Sequence, residues 1–149
     1  MTALGSVLAA GWPPAVYRWR PVVAVDEVRH DVEAAGWDFV LLDTTDVTDK
    51  AGFLDLCATA FDLPRWFGRN WDALAEALSD RSTGEPELVL WIGWQRLLEC
   101  DHDSVDVAVQ IFIEDAKESG QLRVLLADPP GESRLDLPGL VATLPYLTT

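Results

Sequence analysis

Basic residues are scarce in this chain. Its 149 residues include 11 Lys and Arg against 25 Asp and Glu, a formal net charge of −14. A nucleic-acid binder needs a basic patch to neutralise phosphates, so this balance argues against one. It suits a partner with a basic surface, because complementary potentials speed encounter. Acidity also serves solubility alone, so charge by itself does not choose between a basic partner and none. Cysteine is scarce too. Cys57 and Cys100 are too few for a disulfide framework and show no metal-type pairing. They read as reduced core thiols of a cytosolic protein. No run is long and apolar enough to span a bilayer. The mildly apolar start lacks a basic segment and meets Trp12-Pro13-Pro14 at once, so it does not read as a signal peptide. A cytoplasmic location with no membrane partner is expected.

The residues of catalysis are thin as well. Of the two histidines, His30 falls near the end of a predicted helix, where a cation suits the dipole, and His102 lies in the acidic turn Asp101-His102-Asp103. Adjacent ligands on a turn are weak grounds for a metal. Asp43, Asp46 and Asp49 do not have the spacing or the glycine of an EF-hand loop, so turn and cap duties are expected of them. No glycine-rich phosphate loop follows a strand, and there is no Gly-x-Ser-x-Gly elbow. Asp72 and Glu76 have acid–base chemistry in principle, but one helical turn apart on an open face they read as a binding surface. We expect no catalytic residue, no cofactor and no metal.

What is present is a core. Hydrophobic residues make up 49% and charged residues 24%, as in an ordinary globular domain. The spacing predicts helices over 23–35, 49–61, 71–80, 94–100 and 105–118, from apolar sets such as Val25/Val28/Val32 and Phe53/Leu54/Cys57/Phe61. Thr48 is the predicted cap of the second, and Asp103 or Ser104 of the last. Gly36 and Gly120 are predicted stops. Residues 37–43, 88–92 and 122–126 are apolar with few breaks and read as buried strands. Residues 81–86 and the tail from Asp128 read as loops, with a short element at Leu140, Val141 and Leu144. Residues 1–21 show little periodicity, and Trp12, Tyr17 and Trp19 are expected to be buried. Three apolar strands separated by helices predict an α/β fold with a three-stranded parallel sheet flanked by helices. No repeat or linker divides the chain.

The densest stretch is Phe61–Leu78. Pro64 cannot continue the preceding helix, Gly68 relaxes the backbone, and Asn70 is a good cap for the helix that follows. Asp72 sits in that helix's first turn, where its charge meets the dipole. Trp71, Leu74, Ala75 and Leu78 share one face, while Arg69, Asp72, Glu76 and Asp80 share another. Phe67 and Trp71 are expected to be buried and Trp66 exposed. Such a loop and helix can serve as a protein-binding surface, although aromatics near a helix start are also common in cores.

The motif Leu63-Pro64-x-Trp66-Phe67-Gly68-x-Asn70-x-Asp72-Ala73-Leu74 resembles the signature of the barstar family, inhibitors of microbial ribonucleases such as barnase. The likeness runs more weakly from about Phe39 to Ala127. It implies a single domain with its core at about 37–128 and extensions over 1–36 and 129–149. It also implies a partner-binding set. The family's contact tyrosine corresponds to Trp66, next to Gly68. Its two contact aspartates correspond to Asp72 and to Glu76, the latter on a longer arm, and its helix threonine to Ser79. Its contact glutamate falls at Asp115 when aligned on Ala116-Lys117, or at Glu114 when aligned on Phe112. The family's helix tryptophan is Ala75 here, and two acidic loop positions are Arg65 and Arg69. The resemblance implies a non-enzymatic inhibitor, monomeric when free, that blocks a basic secreted or toxin ribonuclease, as an immunity protein or antitoxin does. The alternative is an interaction or regulatory module with a non-nuclease partner, motivated by Arg65, Arg69 and Ala75.

Overall fold

The structure is a computed structural model and describes residues 13–20, 24–81, 84–128 and 139–147. The expectations for Trp12, Val23, residues 82–83 and residues 129–138 lie outside the described residues. In chain order the elements are β1 (Ala15–Trp19), α1 (Val25–Ala34), β2 (Asp38–Asp43), α2 (Lys50–Ala60), α3 (Trp71–Asp80), β3 (Glu87–Ile92), α4 (Trp94–Cys100), α5 (His102–Ser119), β4 (Leu122–Ala127) and a 3-10 turn (Gly139–Thr143).

The sheet has four strands in the order β1-β4-β3-β2, every pair parallel. The three-strand expectation is therefore corrected by β1, which pairs along β4 from Ala15↔Arg123 to Trp19↔Ala127. Arg18 interrupts the apolar pattern of this strand, and what removes its cost lies 110 residues away. Its guanidinium Nη2 donates to Asp128 Oδ1 at 2.9 Å and its Nε to the same atom at 3.2 Å. An ion paired and hydrogen-bonded in this way can be buried; alone it could not.

Side chains alternate between the sheet faces, which is why the strands read as unbroken apolar runs. Val40, Leu42, Val89, Trp91, Val124 and Leu126 pack into one cluster with α2, α3, α4 and α5. Leu88, Leu90, Leu125 and Trp19 pack on the other face with Val28 and Val32 of α1. Trp91 is buried at the centre of the larger cluster, with its ring 5.4 Å from Phe53 and 5.9 Å from Phe112. Its Nε1 donates to Thr44 Oγ1 at 2.8 Å, so its one polar atom is satisfied.

Local punctuation agrees with the sequence, with three shifts. Gly36 and Gly120 follow their helices with φ of +83° and +68°. Asp49, not Thr48, caps α2, accepting from Gly52 N at 2.8 Å. Asp101, not Asp103 or Ser104, caps α5, accepting from Ser104 N at 3.3 Å and Ser104 Oγ at 2.7 Å. Asp101-His102-Asp103 is thus the start of a helix rather than a separate turn. His30 lies ahead of the last turn of α1, which holds no basic residue, so it does not serve the helix dipole.

Candidate functional site

The candidate face begins where α2 ends. Asp62 adopts φ +52°, and Leu63 N returns to Ala58 O at 2.9 Å, closing the helix. Phe67 N donates to Pro64 O at 2.9 Å, so residues 64–67 form a tight turn. That turn places Arg65 and Trp66 at its tip. Trp66 is 82% exposed while the next residue, Phe67, is buried and anchors the loop, as expected. Arg69, with φ +49°, is like Asp62 a non-glycine residue in the left-handed region, so such positions bracket the loop at both ends. Its Nε donates to Asp55 Oδ1 at 2.7 Å and its Nη1 to Phe67 O at 3.3 Å.

Asn70 then caps α3, its Oδ1 accepting from Ala73 N at 2.8 Å. Replacing Asn70 with Ala removes that acceptor and is expected to cost about 1 kcal/mol of stability, read as a lowered urea midpoint. Leu74 and Leu78 are buried beneath the helix, and Trp71 is partly buried, its ring 5.9 Å from Phe53. Ala75 is exposed, contrary to its expected inward place. Asp72, Glu76, Ser79 and Asp80 are exposed on the open side.

Between the loop and the helix lies a groove of about 570 Å³, with Leu63, Pro64, Trp66, Phe67 and Ala77 along it and Glu76 and Asp80 at its margin. The sequence placed Asp80 on this face but not in the partner-binding set, although its i, i+4 relation to Glu76 was the signal. Arg81 also lines the groove, and no local pattern marks it. It makes two hydrogen bonds to Glu87, at 2.7 and 2.8 Å, and lies over the Phe61 ring at 5.0 Å. With Arg69 tied to Asp55 and Arg81 to Glu87, Arg65 is the exposed cation at the turn tip. The carboxylates of Asp62, Asp72, Glu76 and Asp80 set the sign of the face.

The structure brings Trp66, Gly68 and Glu76 to one groove, with Asp72 and Ser79 on the same helix. It sets Asp115 apart, in a cleft with Arg81, Glu85 and Glu87. The alternative, Glu114, is exposed and accepts from Gln110 Nε2 at 2.9 Å. Burial pushes the Asp115 carboxyl above its ordinary range, and Glu87 and Glu118 push it further, with Arg81 opposing. A carboxyl that holds its proton more tightly folded than unfolded destabilises the fold as pH rises through that interval. Asp115→Asn is therefore expected to raise the melting temperature at neutral pH and to leave it unchanged near pH ~3, below both values. An equal shift at the two pH values would contradict the assignment. Among the described residues no three His, Cys, Asp or Glu side chains are gathered to hold a metal, and no helix is long and apolar enough to cross a membrane.

Fold and face together define a small α/β protein that presents an acidic helix edged by an aromatic loop. Residues 37–127, more than half of the chain, match the model of the Barstar (barnase inhibitor) family, and the chain belongs to that family. Strand β1, α1 and the C-terminal turn lie outside the matched span. No curated protein matches the sequence. Solved structures similar in fold include Drosophila ORC bound to DNA, at 15% identity and TM-score 0.59, covering 84% of this chain and 35% of that one. The ORC2 protein of Aeropyrum pernix in its ADPNP–ADP complexes shows 16% identity and TM-score 0.57, with 84% and 39% covered. The chain spans well under half the length of either, and at such identity the likeness is one of fold alone.

Proposed function

We propose that the protein inhibits a barnase-like microbial ribonuclease by covering its active site with α3 and the Trp66 loop. The observation that carries this is the row of exposed carboxylates Asp72, Glu76 and Asp80 on a rigid, capped helix beside an 82% exposed tryptophan. A site that binds RNA phosphates is basic. Carboxylates set on a helix can take the phosphate positions and pair with the enzyme's Arg, Lys and His, in charge-assisted bonds that strengthen as water leaves. Trp66 adds the kind of aromatic contact that dominates interface energetics. Inhibition is by obstruction, with no catalytic step and no cofactor. Asp115 is assigned to the far end of the contact, beyond Arg81.

Residues 37–128 form the inhibitory core on this reading, with 1–36 and 129–149 as additions to a single domain. Cys57 is buried but Cys100 is exposed, so only the first is the expected core thiol; both are unpaired, which suits the reducing cytoplasm where an immunity protein or antitoxin acts. The test is a binding and inhibition titration against a panel of barnase-like ribonucleases at low and moderate salt. Stoichiometric inhibition of one member supports the proposal.

A second reading, a non-enzymatic interaction or regulatory module with a non-nuclease partner, is favoured by two features of the same face. Arg65 is exposed at the turn tip, and exposed Ala75 leaves the helix without the family's aromatic contact. Binding to no ribonuclease in the panel, with one non-nuclease protein retained from cell extract by the wild-type chain and not by Glu76→Ala, would select it.

A further inference from the structure

Strand β2 is an edge of the sheet: among the described residues it pairs with β3 alone. In a parallel ladder alternate residues bond alternate neighbours. Asp38 N donates to Pro86 O at 2.9 Å and Thr44 N to Ile92 O at 3.0 Å, so positions 38, 40, 42 and 44 face β3. Phe39, Leu41 and Asp43 therefore turn their backbone N–H and C=O groups outward. A run of this kind is a template for an added strand unless something guards it.

The surroundings of the edge have a definite chemistry. A groove of about 350 Å³ lies along the start of β2, between Glu33, Trp37 and Phe39 on one side and Phe61 and Asp62 on the other. It shares only Asp62 and Arg81 with the lining of the groove beside Trp66. Apolar side chains line both faces of the strand, Phe39 and Leu41 on one, with the Arg29 guanidinium 4.8 Å from the Phe39 ring, and Val40 and Leu42 on the other. Acidic groups close both ends: Glu33, Asp38 and Asp62 at the start, Asp43 and Asp46 at the finish, all exposed. Asp43 Oδ1 accepts from Thr45 N at 3.0 Å and from Thr45 Oγ1 at 2.6 Å, which holds that carboxylate in place at the strand end.

We infer that the β2 edge is a strand-addition site for an extended, basic segment of a protein partner, with apolar residues at alternate positions and Lys or Arg at the ends. Main-chain hydrogen bonds to Phe39, Leu41 and Asp43 supply the pairing, and the acidic ends select the charge. A second copy of this chain is the wrong occupant. It carries the same acidic ends and the same net charge of −14, so like charges meet at both ends of any antiparallel pairing. The site lies off the open side of α3, so it stands or falls separately from ribonuclease inhibition.

The test uses the isotope-labelled full chain and two synthetic hexapeptides of alternating valine and threonine, one ended by lysine and one by glutamate. The lysine peptide is expected to bind saturably and to shift the amide resonances of Phe39, Leu41 and Asp43. Asp38→Lys with Asp43→Lys is expected to weaken it by about tenfold or more and to reverse the preference between the peptides. Leu41→Pro removes one outward N–H without touching the β3 ladder, and is expected to abolish binding while far-ultraviolet circular dichroism is retained. Glu76→Ala is expected to leave peptide binding unchanged. Equal binding of the two peptides, shifts confined to residues away from β2, or no binding at millimolar peptide would each overturn the inference. So would a sedimenting dimer that the Asp43→Lys change dissociates, because the occupant would then be a second copy.

Discussion

If the proposed ribonuclease is the partner, Glu76→Ala is expected to weaken its binding by about 3 kcal/mol, on the order of a hundredfold in Kd, while leaving the fold intact. The size follows from position. Glu76 lies on the open side of α3 at the margin of the Trp66 groove, where a docked partner excludes water from its carboxylate. Removing one member of a desolvated charge pair loses the bond and strands the enzyme's cation as well. Asp72 lies one turn earlier, at the helix start, so Asp72→Ala is expected to lose less. The effect belongs mainly to the dissociation rate, since close contacts set residence time, whereas added salt slows association by screening the long-range field. Stability is expected to stay within about 0.5 kcal/mol of wild type, because Glu76 is an exposed surface residue. Undiminished inhibition by a variant lacking both carboxylates would place the binding face elsewhere.

Asp128→Ala is expected to cost about 3–5 kcal/mol of stability, by leaving the Arg18 guanidinium charged and buried. For a chain of this length that lowers the melting temperature by roughly 10–15 °C. Asp128 is 5% exposed and Arg18 9%. The Arg18 guanidinium lies 4.7 Å from the Tyr146 ring and 5.7 Å from the Trp94 ring, and Tyr146 Oη donates to Asp128 Oδ2 at 2.7 Å. The backbone adds two bonds, Arg18 N to Pro145 O at 2.9 Å and Leu147 N to Arg18 O at 2.8 Å. One side-chain cluster thus ties β1, the end of β4 and the C-terminal segment together. Tyr146→Phe removes a single hydrogen bond and is expected to cost about 1 kcal/mol. Replacing Arg18 and Asp128 together with Met and Leu is expected to cost less than either Ala substitution alone, since no charge is stranded. Additive losses in that cycle would show that the two residues act independently.

These two sites differ in how far the sequence disclosed them. The acidic face of α3 was legible because its signals are local: a proline, a capping asparagine and carboxylates one turn apart all act within about ten residues. Trp66 and Phe67 sorted correctly into exposed and buried for the same reason, since a four-residue turn decides which side chain points out. The Arg18 cluster was not legible. An arginine in a short aromatic segment reads as a break, and nothing nearby announces the aspartate that accepts it. Arg69 and Ala75 show the same limit: the partner of Arg69 is Asp55 on another helix, and whether Ala75 is covered depends on what packs beside α3.

The sequence by itself determined the helices α1 to α5, the strands β2, β3 and β4, the α/β class and the charge of the candidate face. Each of these follows from periodicity, capping or composition, which act over a few residues. The tertiary structure alone decided that β1 joins as a fourth strand, that the Arg69 and Arg81 cations are held by Asp55 and Glu87, and that β2 is the edge among the described residues. Those outcomes rest on contacts between separate elements, where a charge or an outward amide gains its meaning only from what the fold sets, or does not set, against it.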